Sequence, residues 1–164
     1  MRSIKAPNDW IKKVSEYPEI EPEEVSVFLA GSIDNGAAEE WQEYVTEQFD
    51  CCDNIVILNP RRDDWDSSLD CTIDNPQFKE QVDWELSNLD NADFILLYFS
   101  PTSMAPISLL ELGLFKDNEN MIAVCPDGYY RKGNVDIVCD RYNITQLPTL
   151  EDAINYIKFQ ILEI

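Results

Sequence analysis

Two glutamates stand where a carboxylate is costly. Glu111 lies in Pro106-Ile107-Ser108-Leu109-Leu110-Glu111-Leu112-Gly113-Leu114-Phe115, an otherwise apolar stretch directly after a strand-like run. At the helical period, Ile107, Leu114 and Phe115 fall on the same side as Glu111. The carboxylate then faces the interior or a cleft, where it costs free energy unless it has a partner or a task. Glu85 is the second. In the helix predicted over 77–91, Phe78, Val82, Leu86 and Leu89 define an apolar stripe, and Glu85 projects near its centre. Burial and mutual repulsion separate the pKa values of two such carboxylates, so they can serve as nucleophile and acid/base. That is the chemistry of glycosidic bond cleavage through an oxocarbenium-like state. The plainer alternative is two unrelated glutamates satisfied by backbone or arginine.

The rest of the composition narrows the chemistry. The chain has no histidine, which removes the usual general base and the commonest zinc ligand. Its five cysteines are odd in number and include no CxxC pair, which reads as reduced thiols in a cytoplasmic compartment. A net charge of 12 − 32 = −20 disfavours duplex nucleic acid and anionic membrane surfaces as partners. A small nucleotide remains compatible, because a pocket can hold local donors. Met1-Arg2-Ser3-Ile4-Lys5-Ala6-Pro7 lacks the apolar core of a signal peptide. No apolar run approaches the ~18 residues a membrane span needs.

The elements that must position the glutamates follow from the pattern. Residues 1–24 read as a polar N-terminal arm, with Trp10 and Ile11 as anchors, and 25–164 as one α/β domain. Strands are predicted over 25–30, 55–58, 94–99 and 121–125, with a short fifth over 135–138. Helices are predicted over 37–49, 77–91 and 107–116, and a closing helix is capped by Thr149 with Asp152 at its third position. Fully apolar strands alternating with helices imply a mostly parallel, five-stranded sheet covered on both faces. Ligands bind beyond the carboxyl ends of such strands, where the loops 31–36, 59–75 and 100–106 gather.

Two of those loops carry candidate binding groups. Gly31-Ser32-Ile33-Asp34-Asn35-Gly36 is either a turn that lets backbone N–H groups approach an anion or an ordinary strand-to-helix turn. Asn59-Pro60-Arg61-Arg62-Asp63-Asp64-Trp65-Asp66 offers two arginines for an anionic group and a tryptophan to stack on a base. It also reads as a solvated loop with local Arg–Asp pairs. Its clustered aspartates are poor evidence for a metal.

Taken together, Val27-Phe28-Leu29-Ala30-Gly31-Ser32-Ile33, Glu85 eight residues before Asp93, and Glu111-Leu112-Gly113 resemble the nucleoside 2-deoxyribosyltransferase superfamily. The similarity spans roughly residues 25–145 and is nearest the deoxyribosyltransferase-like branch, whose Asn-Pro-Arg-Arg-Asp-Asp-Trp and Pro-Ile-Ser-Leu-Leu-Glu-Leu-Gly segments match those here. The resemblance implies a flavodoxin-like (Rossmann-like) three-layer fold and cleavage of a nucleoside N-glycosidic bond. It implies Glu111 as the nucleophile that forms a glycosyl ester, and Glu85 as the partner that orients it and helps protonate the leaving base. Gly31, Ser32 and Asp34 are expected at the sugar end, and Asn59, Arg61, Arg62, Asp63 and Trp65 around the outer pocket. Ser108 is a further expected contact, and Asn143 is the polar group lent to a neighbouring subunit of a homo-oligomer. Where main-branch transferases carry an Asp six residues before the nucleophile, this chain has Ala105. No metal or organic cofactor is expected, because the ester supplies the intermediate. The substrate is expected to be a nucleoside or its monophosphate. The alternatives are a nucleotide or NAD-like N-glycoside hydrolase and, outside enzymes, a nucleotide-sequestering module.

Overall fold

Near-continuous apolar runs make strands that must be buried on both faces, and four of them build the centre of one parallel sheet. The computed structural model describes residues 1–6, 24–33, 38–62, 66 and 68–162. Among these, the strands are β1 (Arg2–Lys5), β2 (Val25–Gly31), β3 (Ile55–Asn59), β4 (Phe94–Tyr98), β5 (Met121–Val124) and β6 (Thr145–Leu147). Every pair is parallel, in the order β1-β3-β2-β4-β5-β6. Among the described residues, five helices cover the sheet: α1 (Trp41–Gln48), α2 (Pro76–Asn91), α3 (Pro106–Leu114), α4 (Lys132–Tyr142) and α5 (Leu150–Leu162).

Alternation along each strand splits the core into two layers. Phe28, Leu58, Ile95 and Leu97 pack with Trp84 and Leu89 of α2, Leu112 of α3, and Val135 and Cys139 of α4. On the other face Val27, Leu29, Ile57 and Leu96 pack with Trp41 and Val45 of α1 and Ala153, Ile154 and Ile157 of α5. Without β1, this is the flavodoxin-like order, and the chain reverses direction between β2 and β4. The loops after those two strands therefore diverge and leave a crevice at their carboxyl ends.

The expected five-stranded sheet has six strands, and the differences lie at its edges. Arg2–Lys5, assigned to the polar arm, adds β1 beside β3. Its alternation is real but carries only Ile4 as an apolar residue, and charged side chains suit an edge. The rest of that arm, with Trp10 and Ile11, lies outside the described residues. Residues 135–138 are helical, not a strand. Val135 and Cys139 are buried four apart in α4 while Ile137 is 68% exposed, which is a helical period that the β-branched Val135, Ile137 and Val138 disguise. The sheet's far edge is instead the three-residue β6, which pairs with β5. No described helix is long and apolar enough to cross a membrane.

Two polar staples hold β2 against β4. At the amino end, Ser26 donates from both its N–H and its hydroxyl to Asp93 Oδ2 at 2.7 Å, and the Asp93 N–H donates back to Ser26 Oγ at 3.0 Å. At the carboxyl end, the Ser32 N–H donates to the Tyr98 carbonyl at 3.0 Å and the Ser100 N–H donates to Ser32 Oγ at 3.0 Å. Gly31 makes the second staple reachable. Its φ is +144°, and a Cβ there would stand 2.3 Å from the Tyr98 carbonyl oxygen. Gly31→Ala must move backbone in the sheet centre, so chemical denaturation should show a loss of at least ~3 kcal/mol. A loss below about 1 kcal/mol would mean that β2 and β4 separate easily at this end.

Candidate active site

Helices α2 and α3 lie on the same face of the sheet and flank β4 in sequence, so the chain brings their side chains together. Asn75 starts α2: its Oδ1 accepts from the N–H groups of Gln77 and Phe78 at 3.1 and 3.2 Å, and Pro76 takes the first helical position. The inward side of α2 is Gln81, Trp84, Asn88 and Leu89, with half-buried Glu85 among them. The predicted stripe was rotated: Leu86 is exposed, and Phe78 and Val82 are only half-buried. Glu85 nonetheless points inward, as expected.

Glu111 is buried; of its three expected neighbours Phe115 is half-buried against the core and the other two are not. Ile107 and Leu114 are more than half exposed, as is Leu110, while Ser108 and Leu112 face the core. Glu111 occupies the shoulder between these faces. Helix α3 leaves a short loop after β4, where Ala105 adopts φ +40° and ψ 54° at the N-cap. A left-handed alanine costs roughly 1–2 kcal/mol and persists only where its surroundings impose it. Here the Ala105 N–H donates to Ser103 Oγ at 3.1 Å, and Tyr129 Oη donates to the Met104 carbonyl at 2.9 Å.

The two carboxylates feel each other. Burial first, and the charge of Glu85 second, push Glu111 up to about 8. Burial pushes Glu85 up to about 7, opposed by a hydrogen bond from Gln81. Gln81 Nε2 donates to Glu85 Oε1 at 2.8 Å and to the Pro60 carbonyl at 3.0 Å. Two buried acids that interact this way titrate as a pair. Near neutral pH the pair holds one proton and one negative charge. In the empty site the proton rests on Glu111 and the charge on Glu85, so attack by Glu111 with proton donation by Glu85 requires the proton to change places.

Several other expected contacts already have partners within the fold. Ser32 is fully buried and its hydroxyl belongs to the β2–β4 staple. Asn59 is buried, and its Oδ1 accepts from the Arg61 N–H at 3.0 Å. Arg61 donates to the carbonyls of Glu39 and Ala38, both at 3.0 Å, with Glu40 Oε1 at 3.8 Å. It thus ties the loop after β3 to the entry of α1. Arg62 is buried in the same loop, and Ser108 is buried on α3 one turn before Glu111. Asp34, Asp63 and Trp65 lie outside the described residues. Asn143 ends α4 in the left-handed conformation, two residues before β6 begins. Since β6 runs parallel to β5, Asn143 sits at the amino ends of the strands, opposite the crevice of its own chain.

A separate hollow of about 280 Å³ opens on the α1 side, lined by Glu39, Glu40, Tyr44 and Tyr98 among others. Tyr98 Oη donates to Glu39 Oε1 at 2.9 Å, and burial together with Glu39 pushes the phenol up to about 12. Tyr98 therefore stays protonated at neutral pH, with its hydrogen directed at Glu39. Gln81 was not singled out from the sequence. The signal was present as its spacing of four residues before Glu85, at which a helical glutamine reaches a carboxylate.

The family described as nucleoside 2-deoxyribosyltransferase like matches residues 24–129. The chain belongs to this family. The matched span holds the crevice strands, Gln81, Glu85 and Glu111, so the deoxyribosyltransferase-like region coincides with the carboxylate pair. It stops before α4, so Asn143 falls beyond it. A comparison with curated proteins finds no significant match.

Proposed function

We propose that this protein cleaves the N-glycosidic bond of a (deoxy)ribonucleoside or its monophosphate and passes the sugar to an acceptor through a glutamyl ester. The observation that carries this reading is the pair of buried Glu111 and half-buried Glu85, whose charge raises Glu111, within the deoxyribosyltransferase-like region. Ionised Glu111 attacks the anomeric carbon as the bond to the base breaks. Glu85 gives its proton to the departing base nitrogen. In the second half, an acceptor nitrogen attacks the same carbon, Glu111 leaves as carboxylate, and Glu85 recovers the acceptor's proton. Two displacements give net retention. In the empty site Glu111 is the harder acid to ionise, and the positive charge developing on the sugar is what stabilises its carboxylate.

This proton inventory constrains the pH profile. One group must be ionised and one protonated, so kcat/KM should trace a narrow bell with limbs near about 7 and about 8. A plateau extending below pH 5 would contradict a pair of raised carboxyls. The reaction class is tested by incubating a deoxynucleoside with a free acceptor base and separating the products. An exchanged nucleoside is the expected result. Free base plus free sugar assigns water as the acceptor, and stoichiometric binding with neither product contradicts the enzymatic reading.

A further inference from the structure

Gln81 is buried, and its amide nitrogen meets two acceptors from different parts of the fold. One is the Pro60 carbonyl in the loop after β3, and the other is Oε1 of Glu85. A primary amide nitrogen has two hydrogens, so both are in use. The orientation is also unambiguous. Turning the amide over would set its oxygen against a carbonyl oxygen and a carboxyl oxygen.

We propose that Gln81 is a positioning residue that ties the loop after β3 to the carboxylate pair and assigns the proton of Glu85 to its Oε2 oxygen. This rests on the reading of the pair as acid and nucleophile. Oε1 is held as an acceptor, which leaves Oε2 to carry and release the proton. Among the described residues, charged groups near this region come from α3 and the loop after β3. Glu111 from α3 opposes its ionisation. The loop after β3 brings buried Arg62, and it brings Arg61, whose guanidinium is turned to Ala38 and Glu39. Within α2, Gln81 is the group that favours the ionised form.

Gln81→Leu keeps bulk and removes both donors. The Glu85 carboxyl is followed by carbon NMR in a Glu111→Gln background, which isolates one titrating group of the pair and requires no turnover. Its midpoint is expected to rise by about one pH unit, the effect of losing a hydrogen bond to a charged group. An unmoved midpoint overturns the proposal. Gln81→Asn, shorter by one methylene, should move the midpoint in the same direction by less, and it decides the matter if the leucine variant fails to fold. With Glu111 intact, Gln81→Leu should lower kcat roughly tenfold or more and shift the acid limb upward by the same interval. A KM change with an unshifted limb also overturns it. If the parent protein cleaves no N-glycoside, the proposed function fails, while the NMR midpoint still decides for or against Gln81.

Discussion

Glu111→Gln is expected to reduce turnover at least a thousandfold while leaving substrate binding within a few-fold of the parent. The amide keeps the size and shape of the carboxyl group and loses its nucleophilicity. Removing a covalent nucleophile costs several orders of magnitude, on the order of 10³–10⁶ in kcat. Glu85→Gln removes an acid, so its loss should be smaller, about 10²–10⁴, and should shrink for substrates whose base leaves without a proton. The double variant should be little worse than Glu111→Gln alone, because groups that act as a unit are not additive. Steady-state kinetics with binding by calorimetry checks all three. Retention of more than a tenth of kcat by Glu111→Gln would place the nucleophile elsewhere.

The same substitution should make the protein more stable, and the gain should depend on pH. The folded protein holds Glu111 at about 8, above the 4.5 of an ordinary glutamate. Between those values the native state binds more protons than the unfolded chain. Stability therefore falls as pH rises from about 4.5, and the fall ends near 8. Each pH unit in that window costs up to about 1.4 kcal/mol for one group. Glu111→Gln cannot ionise and removes its share of the slope. At pH 5 the variant and parent should melt nearly together. At pH 8 the variant should gain about 3 kcal/mol, which for a chain of this size is roughly 5–10 °C in Tm. The repulsion of a chain with net charge −20 acts almost equally on both, so their difference isolates the buried carboxyl. Equal Tm values at pH 8 would show that Glu111 is not held in a charge-excluding site. Lost turnover with gained stability separates a catalytic group from a structural one.

The centre of the sheet could be read from the chain because each of its strands is a run buried on both faces, which only a covered parallel sheet accommodates. Its edges could not. Arg2–Lys5 and Thr145–Leu147 carry one apolar side chain each, and their pairing is set by neighbours distant in sequence. The inward direction of Glu85 survived a rotated estimate of its helix's buried face. The burial of Glu111 was inferred from Ile107, Leu114 and Phe115, of which Phe115 packs against the core while the other two face outward. Periodicity finds an apolar side but not which side faces the core when α3 is apolar almost all round. Arg61 and Ser32 looked like ligand groups because a polar residue in a loop at the crevice has no visible partner in the sequence. Their hydrogen-bond partners include backbone atoms: the Ala38 and Glu39 carbonyls for Arg61, and the Tyr98 and Ser100 main chain for Ser32. Backbone positions carry no sequence signal, so such residues are read as available when they are committed. The carboxylate pair differs in that a carboxylate within an apolar stretch is conspicuous in sequence whatever surrounds it.

The claim that matters most is that Glu111 bonds to the sugar. Rapid acid quenching of the protein during turnover of a deoxynucleoside, followed by peptide mapping in a mass spectrometer, reads this directly. The expected result is a deoxyribosyl ester on the peptide bearing Glu111, absent from Glu111→Gln and discharged when an acceptor base is added. An ester on the peptide bearing Glu85, or steady turnover with unmodified Glu111 at every quench time, would contradict it.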